Sequence, residues 1–244
     1  MFLPIFFFFI FRPNVYIHVE RNCKENYEVY LNWVLKMVED SQENTKKIII
    51  YCRNMRNCEN IFFWFMDNLG VKAYQNGIEN YKNRMVEMFH SRTDPKTVDR
   101  ILSTIKLPES HIRVLCATVA FGLGIDIPDI DIVITWGLPS TVMTFWQEIG
   151  RAGRDGRSSL AIIYPFPRSV NLCPEEKFKK IFSQDSCYRH SILEMFLVRG
   201  GKMTLQKHNA CESNTCESCQ CESCMCCSSC FAKRRCSGKN ATKF

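Results

Sequence analysis

The sequence predicts an α/β fold, a parallel sheet flanked by helices, followed by a small helical subdomain and a cysteine-rich tail. Three observations predict it. Short continuous apolar runs at residues 47–52, 111–117, 131–136 and 160–164 alternate with stretches of helical spacing, and parallel strands need such crossovers. The run at 47–52 is continuous rather than alternating, as expected of a strand covered on both faces. After Pro165 only helical patterns follow, and nine of the fifteen cysteines crowd between Cys211 and Cys236.

The elements follow in order. Residues 47–52 (K-I-I-I-Y-C) form the first predicted strand. Residues 54–69 carry Cys58, Ile61, Phe62, Phe65 and Leu69 at helical spacing and stop at Gly70, a favourable helix end. Residues 71–75 suggest a short strand. Residues 79–90 suggest a helix with Tyr81, Met85, Met88 and Phe89 on one side. Asp94-Pro95 opens a helix that Leu107-Pro108 closes. A helix from Thr141, capped by Ser140, is expected to reach Arg151, and further helices are expected over 174–183 and 186–198. Working loops of such sheets sit at the carboxyl ends of the strands, here after Cys52, Cys116, Trp136 and Tyr164.

A chain of 244 residues, 46% hydrophobic and 23% charged, buries a sizeable core and is neither disordered nor fibrous. The net charge of +7 permits an acidic partner without requiring one. About 200 residues of core-forming sequence precede the cysteine tail, which disfavours a secreted disulfide scaffold and favours an intracellular metal-binding protein. The apolar leader at residues 1–11 has no basic start and no small-residue cleavage site. It is too short to span a bilayer, so neither export nor a membrane partner is expected, and a misplaced gene start accounts for it.

Two loops carry chemistry. In residues 147–157 (Q-E-I-G-R-A-G-R-D-G-R), Gln147, Arg151 and Arg154 share one face if the helix continues through the glycines. Glycines at 150, 153 and 156 allow close backbone approach, and paired guanidinium forks suit phosphates and transferring phosphoryl charge. In residues 117–128 (A-T-V-A-F-G-L-G-I-D-I-P), the Thr118 hydroxyl and loop amides suit a phosphate.

These strings resemble the RecQ-type helicases of superfamily two: the first is similar to their motif six, the second to their motif five with Leu123 in place of methionine. Arg12-Pro13-Asn14 resembles the segment entering the second motor lobe, residues 49–52 the start of motif four, and Tyr74-Gln75-Asn76-Gly77-Ile78 with Arg84 a DNA-facing loop. Gln75, Asn76, Asn54 and Met55 depart from the family pattern, and residues 91–110 form a longer segment than in bacterial members.

The resemblance implies a RecA-like lobe at 12–166, a zinc subdomain at 167–220 and a cysteine-rich, basic tail at 221–244. It implies that Arg151 and Arg154 reach ATP phosphates, with Arg154 the arginine finger; the spacing alone does not rank the two. Gln147, Gly124 and Asp126 would contact ATP, and Thr118, Tyr74, Gly77 and Arg84 would contact DNA.

Residues 187–196 (C-Y-R-H-S-I-L-E-M-F), opened by Asp185, resemble the helix of the RecQ zinc subdomain whose first cysteine is a ligand. The implied zinc ligands are Cys187, Cys211, Cys216 and Cys219, since thiolates bind zinc tetrahedrally and often as C-x2-C pairs. Cysteines 221, 224, 226, 227, 230 and 236 exceed one ion's needs; a second cluster or a low-complexity run with repeated C-E-S-C units accounts for them. Lys233-Arg234-Arg235 could serve nuclear import or DNA contact, and a solubilising terminus explains it equally.

Neither a G-x-x-x-x-G-K-[ST] phosphate cradle nor a magnesium-holding D-E-x-H segment occurs among the 244 residues. The expectation is the C-terminal motor half of a nuclear 3′-to-5′ DNA helicase. It would act on single strands and duplex junctions, share ATP and magnesium with an ATP-binding first lobe, and be inactive alone. The competing reading is a non-catalytic relic that binds DNA or a partner through its zinc module.

Overall fold

A computed structural model describes residues 12–118, 127, 129–197 and 226–233. Its centre is a six-stranded sheet of order β1-β6-β5-β2-β4-β3. The strands are β1 (Val15–Val19), β2 (Ile48–Cys52), β3 (Val86–Phe89), β4 (Val114–Thr118), β5 (Ile132–Trp136) and β6 (Ser159–Tyr164). Every neighbouring pair is parallel.

Side chains alternate across the strands, and both faces are buried. Ile49, Tyr51, Leu115, Val133 and Ile163 point into one core, whereas Ile48, Ile50, Cys116, Ile134 and Ile162 point into the other. Two helices cover the second face: α2 (Asn32–Ser41), which follows the single turn α1 (Tyr27–Tyr30), and α3 (Met55–Leu69). Asn54, at a position where the RecQ pattern has serine, caps α3 by accepting from Asn57 N at 2.8 Å, so the helix start survives that change.

The first face is covered by α4 (Pro95–Ile105), α5 (Val142–Ile149), α7 (Glu176–Ser183) and α8 (Tyr188–Glu194), with α6 (Pro167–Leu172) between. Phe178, Ile181, Tyr188 and Ile192 of α7 and α8 share the core of Val15, Ile17 and Phe145, so the helices after Tyr164 are continuous with the sheet. The last described helix, α9 (Ser228–Lys233), brings Cys226 and Cys227 against β1. No helix among the described residues is long and apolar enough to cross a membrane.

Four sequence expectations change. Residues 71–75 form tight turns rather than a strand, with one bridge from Tyr74 to Arg84. Residues 86–89 are not helical but the edge strand β3, paired with β4. Apolar side chains four and eight residues apart imitated a helix, and the pairing that decides the matter lies about thirty residues away in sequence. The cap of α5 is Thr141, accepting from Thr144 N at 3.1 Å, rather than Ser140. The cap of α8 is Cys187 rather than Asp185. The segment before β2, which the periodicity did not resolve, supplies β1, α1 and α2.

Candidate nucleotide loop and thiol cluster

The carboxyl ends of four strands come level. Thr118 and Trp136 flank Cys52 in register, and Tyr164 lies beside Trp136. The loop after α5 lies on the side of the sheet that β1 and β6 bound. Helix α5 ends at Ile149, so Gln147, Arg151 and Arg154 do not share one continuous helical face. Gly150 closes the helix, with its N–H donating to Trp146 O at 2.9 Å. Turns carry the chain from there to β6, and Gly153 N donates to Ile130 O at 2.8 Å. Gln147 and Arg154 are exposed and Arg151 is half-buried.

The entering segment holds this loop. Asn14 Nδ2 donates to Gly153 O at 2.8 Å and to Arg157 O at 2.9 Å, and Arg12 Nη2 donates to Ala152 O. Burial lowers the pKa of the Arg12 guanidinium, and the charges of Arg154 and Arg189 lower it further. Arg154 and Arg189 therefore each lie close enough to Arg12 to repel it, and the Asp155 carboxylate offsets part of that repulsion. The buried Tyr51 phenol feels Arg151, Glu148, Arg154 and Arg53 together; burial dominates and raises its value. Both arginines of the loop thus lie in electrostatic reach of Tyr51, while the backbone of residues 153–157 meets the amino ends of β1, β5 and β6.

Gly153 has φ +55°, and a Cβ there would fall 2.6 Å from Arg157 O and from Asn14 Nδ2, closer still to Ser159 Oγ. Gly153→Ala is therefore expected to lower folding stability by roughly 2–4 kcal/mol, from the left-handed backbone and from overpacking. The urea midpoint checks this; a shift too small to resolve would mean that the loop can swing away from Asn14.

Glu148, in the same string, is buried and turned inward. Arg53 Nη2 donates to its two oxygens at 2.7 and 2.9 Å, and Thr135 Oγ1 donates to Oε2 at 3.4 Å. Burial raises the Glu148 carboxyl above its ordinary value, and Arg53 opposes that. Gly137 (φ +89°) lets Arg53 pass, since a Cβ would lie 3.0 Å from Arg53 Cγ.

Far across the sheet, beside β3, Tyr74 and Arg84 pair as an antiparallel bridge, and Gly77 N donates to Tyr74 O at 3.0 Å. Asn76 (φ 53°) and Gly77 (φ 67°) form the left-handed turn between them. Arg84 lies over the Phe62 ring at 5.8 Å. Thr118 is one strand closer to the arginine loop, at the end of β4. Gly124 and Asp126 lie outside the described residues.

Near the amino end of α8, the Sγ atoms of Cys187, Cys226, Cys227 and Cys230 all lie within 4.8 Å of one another. Cys187 Sγ is 3.5 Å from Cys226 Sγ and 4.0 Å from Cys227 Sγ. A tetrahedron with zinc–sulfur bonds of about 2.3 Å has edges of about 3.8 Å, so the donor set fits zinc. His190 N donates to Cys187 Sγ at 3.4 Å and Arg189 Nε to Cys226 Sγ at 3.3 Å, the outer bonds that orient metal ligands. Contacts among the thiols pull Cys187 and Cys227 below the ordinary thiol value and push Cys226 and Cys230 above it. Cys211, Cys216 and Cys219 lie outside the described residues. Three of these four donors come from the run that the spacing left unassigned.

The helicase conserved C-terminal domain matches residues 29–156, just over half of the chain. The chain belongs to that helicase family. This helicase domain is 33% identical over 161 residues to the probable ATP-dependent DNA helicase RecS of Bacillus subtilis, covering 66% of this chain and 28% of that protein. It is 33% identical over 156 residues to the ATP-dependent helicase SGS1 of Saccharomyces cerevisiae, covering 63% of this chain and 9% of that protein. The chain thus spans less than a third of either relative, and the likeness is to the C-terminal lobe of RecQ-type helicases. Its fold is also that of Mycobacterium smegmatis helicase Lhr, at a TM-score of 0.50 and 19% identity over 65% of this chain and 20% of that one. The sheet of the helicase domain is RecA-like.

Arg53, Glu148, Asn14 and Arg189 were given no role from the sequence. Glu148 could have been suspected, since a carboxylate beside buried Ile149 needs a cation. Nothing local pointed to Arg53 as that cation.

Proposed function

We propose that this chain is the second motor lobe of a RecQ-type 3′-to-5′ DNA helicase. Its Arg151 and Arg154 would meet ATP and magnesium held by a first lobe. The observation that carries the reading is the loop at 150–157, tied down by Arg12 and Asn14, with both its arginines in electrostatic reach of Tyr51 in β2. A fixed loop presents guanidinium groups with little reorganisation when phosphoryl charge develops. In this reading Arg154 is the finger and Arg151 its partner, while Gln147, Gly124 and Asp126 contact the nucleotide. No phosphate cradle lies within the 244 residues, so turnover by the chain alone should be negligible.

DNA would run past Thr118 towards the turn of Tyr74, Gly77 and Arg84, as a single strand or at a duplex junction. Affinity would rest on backbone charge, with a salt slope of roughly −0.7 per phosphate contacted on single strands. The Cys187, Cys226, Cys227 and Cys230 quartet would hold zinc, joining the helices to the sheet edge; Cys187 with Cys211, Cys216 and Cys219, the set the RecQ resemblance implies, is the competing one. Metal content after Cys227→Ser and after Cys216→Ser separates the two. A nuclear location belongs to the same reading, by likeness to RecQ-type proteins.

The deciding experiment measures ATPase activity with and without single-stranded DNA, for the chain alone and joined to a RecQ-type first lobe. DNA-stimulated activity in the joined form only is the expected result. Inactivity in both, with salt-sensitive DNA binding retained, would leave a binding relic. Activity in the chain alone, free of contaminating helicase, would overturn the division of labour.

A further inference from the structure

We propose that Arg189 couples the thiol cluster to the arginine loop, so that metal bound at the cluster holds the Arg151–Arg154 segment in position. The inference rests on the zinc and arginine-finger readings above and names the residues that link them.

Arg189 is 2% exposed, and a guanidinium so buried must spend its donors on protein acceptors. On one side its Nε meets Cys226 Sγ at 3.3 Å and its Nη2 meets Cys226 O at 3.3 Å. On the other side Nη1 donates to Arg12 O at 2.7 Å and Nη2 to Val15 O. One side chain thus bridges a cluster cysteine and the strand-entry segment. From that segment Arg12 reaches Ala152 O, and Asn14 reaches Gly153 O and Arg157 O.

A second strut runs beside the first. Ile17 N donates to Cys226 O at 3.3 Å and Val19 N to Ser228 Oγ at 3.1 Å. The chain that carries three of the four thiols therefore lies along the free edge of β1. Outer bonds fix metal ligands, and a metal-bound thiolate accepts a stronger N–H bond than a neutral thiol. Metal release would loosen Cys226, then Arg189, then the segment that holds the loop. Linkage makes the effect reciprocal, so loosening the loop would weaken metal binding. Arg189 is a positioning residue, acting through Arg12 and Asn14.

The test uses the full chain loaded with cobalt(II), whose thiolate complex absorbs visibly, and then stripped by a chelator. Amide hydrogen exchange is followed across residues 150–157, with β5 as reference. In the natural sequence metal should slow loop exchange about tenfold, a typical coupling, and leave β5 almost unchanged. Arg189→Met should keep the cobalt spectrum yet lose the loop response. Arg12→Gln/Asn14→Ala should behave likewise, because it removes the side chains that hold the loop and keeps the backbone carbonyls of Arg12 and Val15 that Arg189 meets; this variant guards against misfolding of Arg189→Met. Cobalt binding without loop protection in the natural sequence, or an undiminished loop response in both variants, overturns the coupling and leaves the metal reading intact. A chain that binds no cobalt overturns both.

Discussion

Arg154→Ala, in the chain joined to an ATP-binding first lobe, is expected to lower ATP turnover by about 10³-fold or more and leave ATP affinity nearly unchanged. The charge that a finger neutralises develops during phosphoryl transfer, so its loss falls on turnover rather than on binding. Arg154 is exposed on its loop, and the folded state should tolerate alanine within about 0.5 kcal/mol. Arg154→Lys keeps the charge without the planar fork and should recover only a small part. Single-turnover ATP hydrolysis with unfolding controls compares both variants with the natural sequence. If the alanine protein keeps a tenth or more of its turnover, the finger is Arg151 instead.

Arg53→Met should cost roughly 3–5 kcal/mol of stability near neutral pH, because it strands a buried carboxylate. Glu148 is 3% exposed, and Arg53 is the cation on both its oxygens. Burial already raises this carboxyl in the folded state, and the charge of Arg53 is the largest force opposing the rise. Without Arg53 the folded value climbs further above the unfolded one. Between those two values the folded protein holds more protons, so stability falls as pH rises through the window. The deficit of the variant should therefore be smallest in acid, below the unfolded carboxyl value. It should be largest above the raised folded value.

Urea unfolding from about pH 4 to about pH 8 reads this directly. Adding Glu148→Gln should restore much of the loss, since a neutral amide of the same shape needs no counter-charge. A deficit independent of pH would assign the cost to the packing of the Arg53 stem under Gly137 instead.

The sequence by itself determined the sheet and the family. Continuous apolar runs separated by helical spacing are local properties, readable wherever both faces of a strand are buried, and they placed β2, β4, β5 and β6. The eleven residues at 147–157 are equally local, which is why their helicase character is legible without coordinates.

The tertiary structure alone decided what depends on distant partners. Residues 86–89 are a strand because β4 pairs with them. Helix α5 stops at Ile149 because Gly153 turns towards Ile130 and Asn14 rather than continuing the helix. The loop is held by Arg12 and Asn14, about 140 residues earlier, and Glu148 takes its cation from Arg53, which follows the neighbouring strand β2. Among fifteen cysteines, spacing and the resemblance favour Cys187 with Cys211, Cys216 and Cys219, the last three of which lie outside the described residues. Thiols adjacent in sequence need not converge, whereas the chain that lies along β1 brings Cys226, Cys227 and Cys230 to Cys187.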